Sequence, residues 1–244
     1  MGTLVLLAFV YLAFWLLRLD QRTRPGLSNA LWIPTFWMAI LMSRPLSMWL
    51  GFGGGSDSLE GSPLDRFLHL FVIGHALVVL NRRRIDWGRI IADNWSVFLF
   101  YGFFLISVFW ADPPVPSLKR WVKDLGMVFI ALVILTEQKP MEAARAVFVR
   151  CAYVLLPLSV ILIRWFPEWG RFYSRGGGLE VTGVTTQKNS LGITAMICGL
   201  MFLWDWLERR RNGRRSVREA KTQNRILLVA MIISIYLLHL SQSK

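Results

Sequence analysis

The chain has 244 residues, 55% of them hydrophobic, with 12 Trp, 16 Phe and a mean hydropathy of +0.46. Soluble domains carry about 45–50% apolar residues even with Gly counted. Here the apolar residues come in blocks, with neither period 2 nor period 3.6, which excludes a large water-soluble core. The net charge of +13 comes with no nucleic-acid signature, so basic cytoplasmic loops of a multi-spanning membrane protein are the expected source and no nucleic-acid partner is expected.

The first apolar block, Gly2 to Leu17, lacks a basic leader and an A-x-A-like cleavage site and reads as a retained anchor. Seven more segments follow, giving predicted spans at about 3–18, 29–50, 65–80, 94–111, 122–137, 150–166, 189–204 and 226–240. A helical span needs about 20 residues, and the fifth and seventh segments fall at the short end of that range. The fold class predicted is all-α, a polytopic transmembrane bundle of about eight spans, with 1–244 as a single transmembrane domain. Cys151 and Cys198 fall inside apolar runs, so buried thiols are expected, with neither disulfide nor metal site.

Orientation follows from basic residues. With Arg18, Arg22 and Arg24 inside, alternation also places inside the loops bearing Arg82–Arg89, Lys139–Arg150 and Arg209–Arg225, and with those three arginines the inner side holds 18 of the 28 Lys and Arg. That bias satisfies the positive-inside rule and puts the N-terminus outside. Failure of the fifth or the seventh segment alone to cross would move the Arg209–Arg225 cluster outside. Both therefore cross or neither does, and if neither does the 171–188 loop becomes cytoplasmic.

Three outer segments matter. GFGGGSDSLEGSPLD (51–65) is a Gly-rich loop with no strand before its glycines, so it is no nucleotide fingerprint. ADPPVPSLKRWVKD (111–124) is stiffened by Pro, and a helix starting near Ser117 puts Lys119 and Lys123 on one face with Trp121 elsewhere. Lys119 and Arg120 there suit either anionic headgroups or an anionic lipid-linked substrate. RFYSRGGGLEVTGVTTQKNSLG (171–192) is polar, Gly-rich and basic between two apolar runs. With Asn189 as N-cap of the seventh span, its helix start aims backbone N–H groups outward, and Lys188, Arg171 and Arg175 nearby make a site suited to phosphate or pyrophosphate. An ordinary capped helix after a mobile loop is the plainer alternative.

Arg44, within the second span, has two readings: it faces a partner or watery cavity, or it snorkels to the outer interface, and Pro45 can break the helix beside it. His69, His75 and His239 form no constellation and read as packed or interfacial side chains. Asp65 and Arg66 read as a local ion pair. No nucleophile motif, zinc motif, P-loop or carboxylate pair is visible, so no metal and no cofactor are expected.

GVTTQKNSLG, preceded by the Arg of SRGGG and opening a membrane helix, resembles the signature of the O-antigen ligase/polymerase superfamily. ALWIPTFWMAILMSRPLSMWL, GSPLDR and SLKRWVKDLGMVFIALVILTE are also similar to bacterial members. The resemblance implies a multi-pass glycosyltransferase of the bacterial inner membrane. Such an enzyme moves a glycan from an undecaprenyl-pyrophosphate carrier to an acceptor glycan or lipid A core at the periplasmic face, in a metal-independent, inverting transfer. It implies arginines on the pyrophosphate and a histidine base on a large periplasmic loop, roles consistent with leaving-group stabilisation and general-base catalysis. Arg175 matches the arginine before the family's Gly…Lys/Pro-Asn phrase, and Lys188 and Asn189 match its end. Arg44, Arg171, Lys119 and Arg120 join the set by charge placement. No residue here matches the catalytic histidine or the second pyrophosphate arginine, so by this comparison the chain is an N-terminal portion of a family member. The competing expectations are a non-catalytic assembly partner or remnant, and an anion transporter of the bicarbonate kind with Arg44 on its path.

Overall fold

In a computed structural model the described residues are 2–52, 62–173, 177–212 and 217–241. The helices in chain order are α1 (Gly2–Thr23), α2 (Trp32–Leu41, preceded by a 3₁₀ turn at Asn29–Leu31), α3 (Leu46–Trp49), α4 (Pro63–Arg82), α5 (Trp87–Asp93) and α6 (Trp95–Ile106). They continue with α7 (Pro114–Leu135), α8 (Pro140–Trp165), α9 (Pro167–Gly170), α10 (Lys188–Asn212) and α11 (Val217–Ser241). One antiparallel hairpin, β1 (Arg171–Tyr173) with β2 (Leu179–Val181), interrupts the helices. Among the described residues, five helices are long and apolar enough to cross a membrane: α1, α4, α8, α10 and α11. The chain is thus all-α apart from one small hairpin, with the apolar helices of a membrane protein.

Two expected spans depart from straight helices. Segment 29–50 ends its helix at Leu41, because Pro45 disfavours helical geometry at Arg44 and has no N–H of its own. The fourth expected span, 94–111, is α6 continued by a 3₁₀ turn at Ser107–Trp110, and a 90° bend at Asn94, whose φ of −126° and ψ of 32° lie outside helical values, separates it from α5. The fifth and seventh segments grow instead. α7 extends back to Pro114 because Pro113 and Pro114 initiate it, and α10 runs on through Arg211.

The described residues form two compact units. The first comprises Met1–Leu27, Met38–Arg44 and Met141–Lys244. Its most buried member is α8, two-thirds of whose apolar window lies inside the protein. Phe9 and Ala13 of α1 pack on Ile161 of α8. α10 and α11 approach closely at Gly199, where a Cβ would meet Ser234 Cβ at 3.2 Å.

The second unit comprises Ser28–Trp37 and Pro45–Pro140. Trp37, Val72, Ile73, Ala76, Leu80, Ile130 and Val133 make its core, and Gly126 lets α7 meet α4, since a Cβ there would stand 2.3 Å from Ile73. At the C-terminal end of α4, Arg83 donates to Val133 O, Thr136 Oγ1 and Glu137, and Glu137 also accepts from Ser28. At the opposite end of α4, Asp65 accepts from the amide and hydroxyl of Ser47. The stretch from Ser28 to Ser47 therefore travels from one end of α4 to the other, even though its helix is short. Asp65 is occupied by Ser47 in addition to its neighbourhood with Arg66. His69 packs edge-on against Trp37 at 4.9 Å, as expected of a packed histidine. α6 has no buried residue, and Phe100, Phe103 and Phe109 are all more than half exposed, as a lipid-facing surface requires.

Candidate functional site

The end of α8 is closed by a compact polar structure. α9 turns on Phe166, whose carbonyl accepts from the amides of Trp169 and Gly170. Gly170 then lies directly on α8, where a Cβ would come within 2.4 Å of the Leu162 carbonyl carbon. Its own carbonyl accepts from Thr182 and Gly183 at 2.9 and 3.0 Å, tying the far arm of the hairpin to the base. Between these anchors Arg171 pairs with Val181, Phe172 with Glu180 and Tyr173 with Leu179.

The loop after β2 is buried despite its polarity. Thr182, Val184 and Thr185 are each at most 3% exposed. Gly183 adopts φ +54°, a left-handed conformation, with Ser159 too near to admit a Cβ. Thr185 Oγ1 lies within donating distance of the carbonyls of Thr182 and Gln187, and the Ser159 hydroxyl accepts from Val184 N.

Arg44 braces this loop. Its amide donates to Val184 O at 2.9 Å, and its Nη2 lies 2.7, 2.8 and 2.9 Å from the carbonyl oxygens of Trp169, Gly183 and Thr185. The helix breaks beside Arg44 at Pro45, and the carbonyls that hold this guanidinium come from the 169–185 segment. Arg44 thus faces partners within the protein, part of the first of its two readings, and is half-buried. The carbonyl of Met42, released where α2 ends, accepts from Thr194 Oγ1.

The other expected anion ligands fall as follows. Arg171 is half-buried and donates from Nε to Ile163 O at 3.1 Å, satisfying a carbonyl near the end of α8. Lys188 stands 3.4 Å from Glu180, so its charge is partly offset. α10 begins at Lys188 and Gln187 O accepts its first helical bond, from Leu191 N, so Asn189 lies in the first turn and Gln187 takes the capping position expected of Asn189. Arg44, Arg171, Lys188 and Asn189 therefore come together around the hairpin, whereas Arg175 lies outside the described residues. Lys119 and Arg120 lie on the first turns of α7 in the second unit, Lys119 half-buried and Arg120 exposed. Trp121 donates to Tyr101 O at 2.9 Å. Beside the hairpin, Pro167, Glu168, Arg171, Phe172, Tyr173 and Leu179 line an open groove.

A second polar centre in the first unit escaped the sequence reading. Asp20 accepts from Arg24 Nε at 2.7 Å and Arg150 Nε at 2.8 Å. Asp205 accepts from Arg24 Nη2 at 2.8 Å and Arg209 Nε at 2.7 Å, with Arg145 at 3.8 Å. Both carboxylates are 1% exposed, and Arg209 also bonds Gln223 of α11. Burial alone would lower the Arg24 pKa, but the two carboxylates raise it above the ordinary arginine value. By the charge bias of the sequence these arginines belong to loops on the inner side. The detectable signal was the repeated Asp-x-x-x-Arg of 20–24 and 205–209, each placing an acid and a base on one helical face.

Among the described residues no group of three His, Cys, Asp or Glu could hold a metal ion. No protein-family model, curated protein or solved structure matches the chain.

Proposed function

We propose that this protein serves the transfer of a glycan from an undecaprenyl-pyrophosphate carrier to an acceptor sugar, at the membrane face that carries the β1–β2 hairpin. The observation that carries the reading is that GVTTQKNSLG, the phrase with the strongest resemblance to the O-antigen ligase/polymerase group, coincides with the braced 182–187 loop and the start of α10. Arg171, Arg175, Lys188 and Asn189 are the residues assigned to the pyrophosphate, beside the positive end of a 25-residue helix. Arg44 becomes a positioning residue that shapes the loop through its backbone carbonyls. Lys119 and Arg120 attract the anionic carrier at the interface, and lipid A core or another glycan is the acceptor.

The reading places the chain in a bacterial inner membrane with eight crossings and the N-terminus outside. Support comes from the Ser28–Glu137–Arg83 and Ser47–Asp65 contacts at opposite ends of α4, which give the short second segment the reach of a full crossing. The competing transport reading needs Arg44 on an anion path, and its three carbonyl contacts weigh against that.

The test is glycan display in a source strain lacking the gene, complemented with wild type or Arg175→Ala. Loss of polymer attachment with accumulation of carrier-linked glycan, restored by wild type and not by an equally expressed Arg175→Ala, is the expected result. Unaltered glycan display in the deletion strain would refute the reading.

A further inference from the structure

Within the first unit an apolar groove of about 250 Å³ opens between α1, α8 and α11. Leu12 and Trp15 form its α1 wall, Leu156 and Pro157 its α8 wall, and Val229 its α11 wall. All three helices are long and apolar enough to cross a bilayer, so the groove lies at the depth of lipid chains. Arg225 is the one charged residue lining it, on the first turns of the apolar part of α11, at the level where a guanidinium reaches headgroups.

The chemistry of the walls and rim selects the occupant. An alkyl chain laid along the apolar walls supplies the dispersion contacts they would otherwise forfeit. The cation at the rim complements a phosphodiester.

We infer that this groove is a binding site for an anionic phospholipid, with one acyl chain between α1, α8 and α11 and the headgroup phosphate on Arg225. The site is separate from the hairpin and independent of the glycan-transfer reading.

The experiment exchanges the purified full-length protein into detergent carrying equal palmitoyl-oleoyl phosphatidylglycerol and phosphatidylcholine, then measures retained lipid by native mass spectrometry. Wild type is expected to retain phosphatidylglycerol about fivefold over phosphatidylcholine, the factor one basic residue contributes near a headgroup. Arg225→Gln should bring the two lipids to parity while total retained lipid holds. Val229→Trp should expel both lipids by filling the groove, with Ile233→Phe as its replacement if it fails to assemble by size exclusion. Equal retention of the two headgroups by wild type overturns the inference, as does a preference that survives Arg225→Gln or lipid retained undiminished in the groove-filling variant. Should neither filled variant assemble, the Arg225 comparison decides alone.

Discussion

At the scale of residues, the two buried aspartates show how charge is kept inside this chain. A carboxylate at 1% exposure is costly alone, and Asp205 offsets that cost with Arg24, Arg209 and Arg145 around it. Asp205→Asn removes the charge and leaves the arginines facing one another. It is expected to destabilise the first unit by about 3–5 kcal/mol, read as a lowered melting temperature in detergent. Arg22→Gln, at an exposed position, should stay within about 0.5 kcal/mol of wild type. Arg44 acts by a different route, since its guanidinium holds backbone carbonyls. Each hydrogen bond to a charged group contributes about 1.5–3 kcal/mol, so Arg44→Ala should speed amide exchange at Gly183 and Thr185 by roughly 10- to 100-fold. Hydrogen exchange of the peptide spanning 177–190 checks this, and unchanged protection would show that the loop holds itself.

At the scale of elements, sequence reading recovered the apolar segments but misjudged their continuity. Hydropathy averages side chains and is blind to the backbone consequence of Arg44-Pro45, which stops α2 at Leu41. The short fifth and seventh segments belong to helices of 22 and 25 residues, because charged end turns continue the helix beyond the apolar run, and of these two α10 alone is apolar enough to cross. The hairpin went unread because strands of three residues carry no usable period. What fixes the hairpin is one glycine. Gly170→Ala sets a Cβ against the α8 backbone, where a side-chain rotation gives no relief. It should cost about 1–3 kcal/mol and release the hairpin to limited proteolysis near 171–181, whereas the same change at Gly74, with open space around it, should be nearly silent.

At the scale of the whole molecule, the proposed eight-crossing scheme is open to a labelling test. Cysteine accessibility mapping should label positions near Gly51 and Tyr173 from one side of the membrane, and positions near Arg84, Lys139 and Arg211 from the other. Labelling of Tyr173 and Arg84 positions from the same side would break the eight-crossing scheme. The membrane character was legible because it depends on composition and on the grouping of apolar residues into long runs. The polar centre of Asp20 and Asp205 was legible only as its two local Asp-x-x-x-Arg pairs; their meeting, and the joining of Arg150, was not, because those partners lie 130 and 181 residues apart. The hairpin site was legible only in part. Its cations could be named in advance, but the glutamate that pairs with Lys188 and the carbonyls that hold Arg44 depend on the folded backbone.

The Asp20 cluster also has a consequence in time. Asp20 leaves the ribosome of order ten seconds before Arg150, at about 5–20 residues per second, and Asp205 follows later still. Throughout that wait Arg24, four positions on, gives the Asp20 carboxylate a counter-ion from its own neighbourhood. The nascent first helix thus idles as an electrically balanced end in the membrane. The arrival of residues 150, 205 and 209 turns that local pair into a latch joining three helices, so the first unit commits to its packing only after most of the chain has been made.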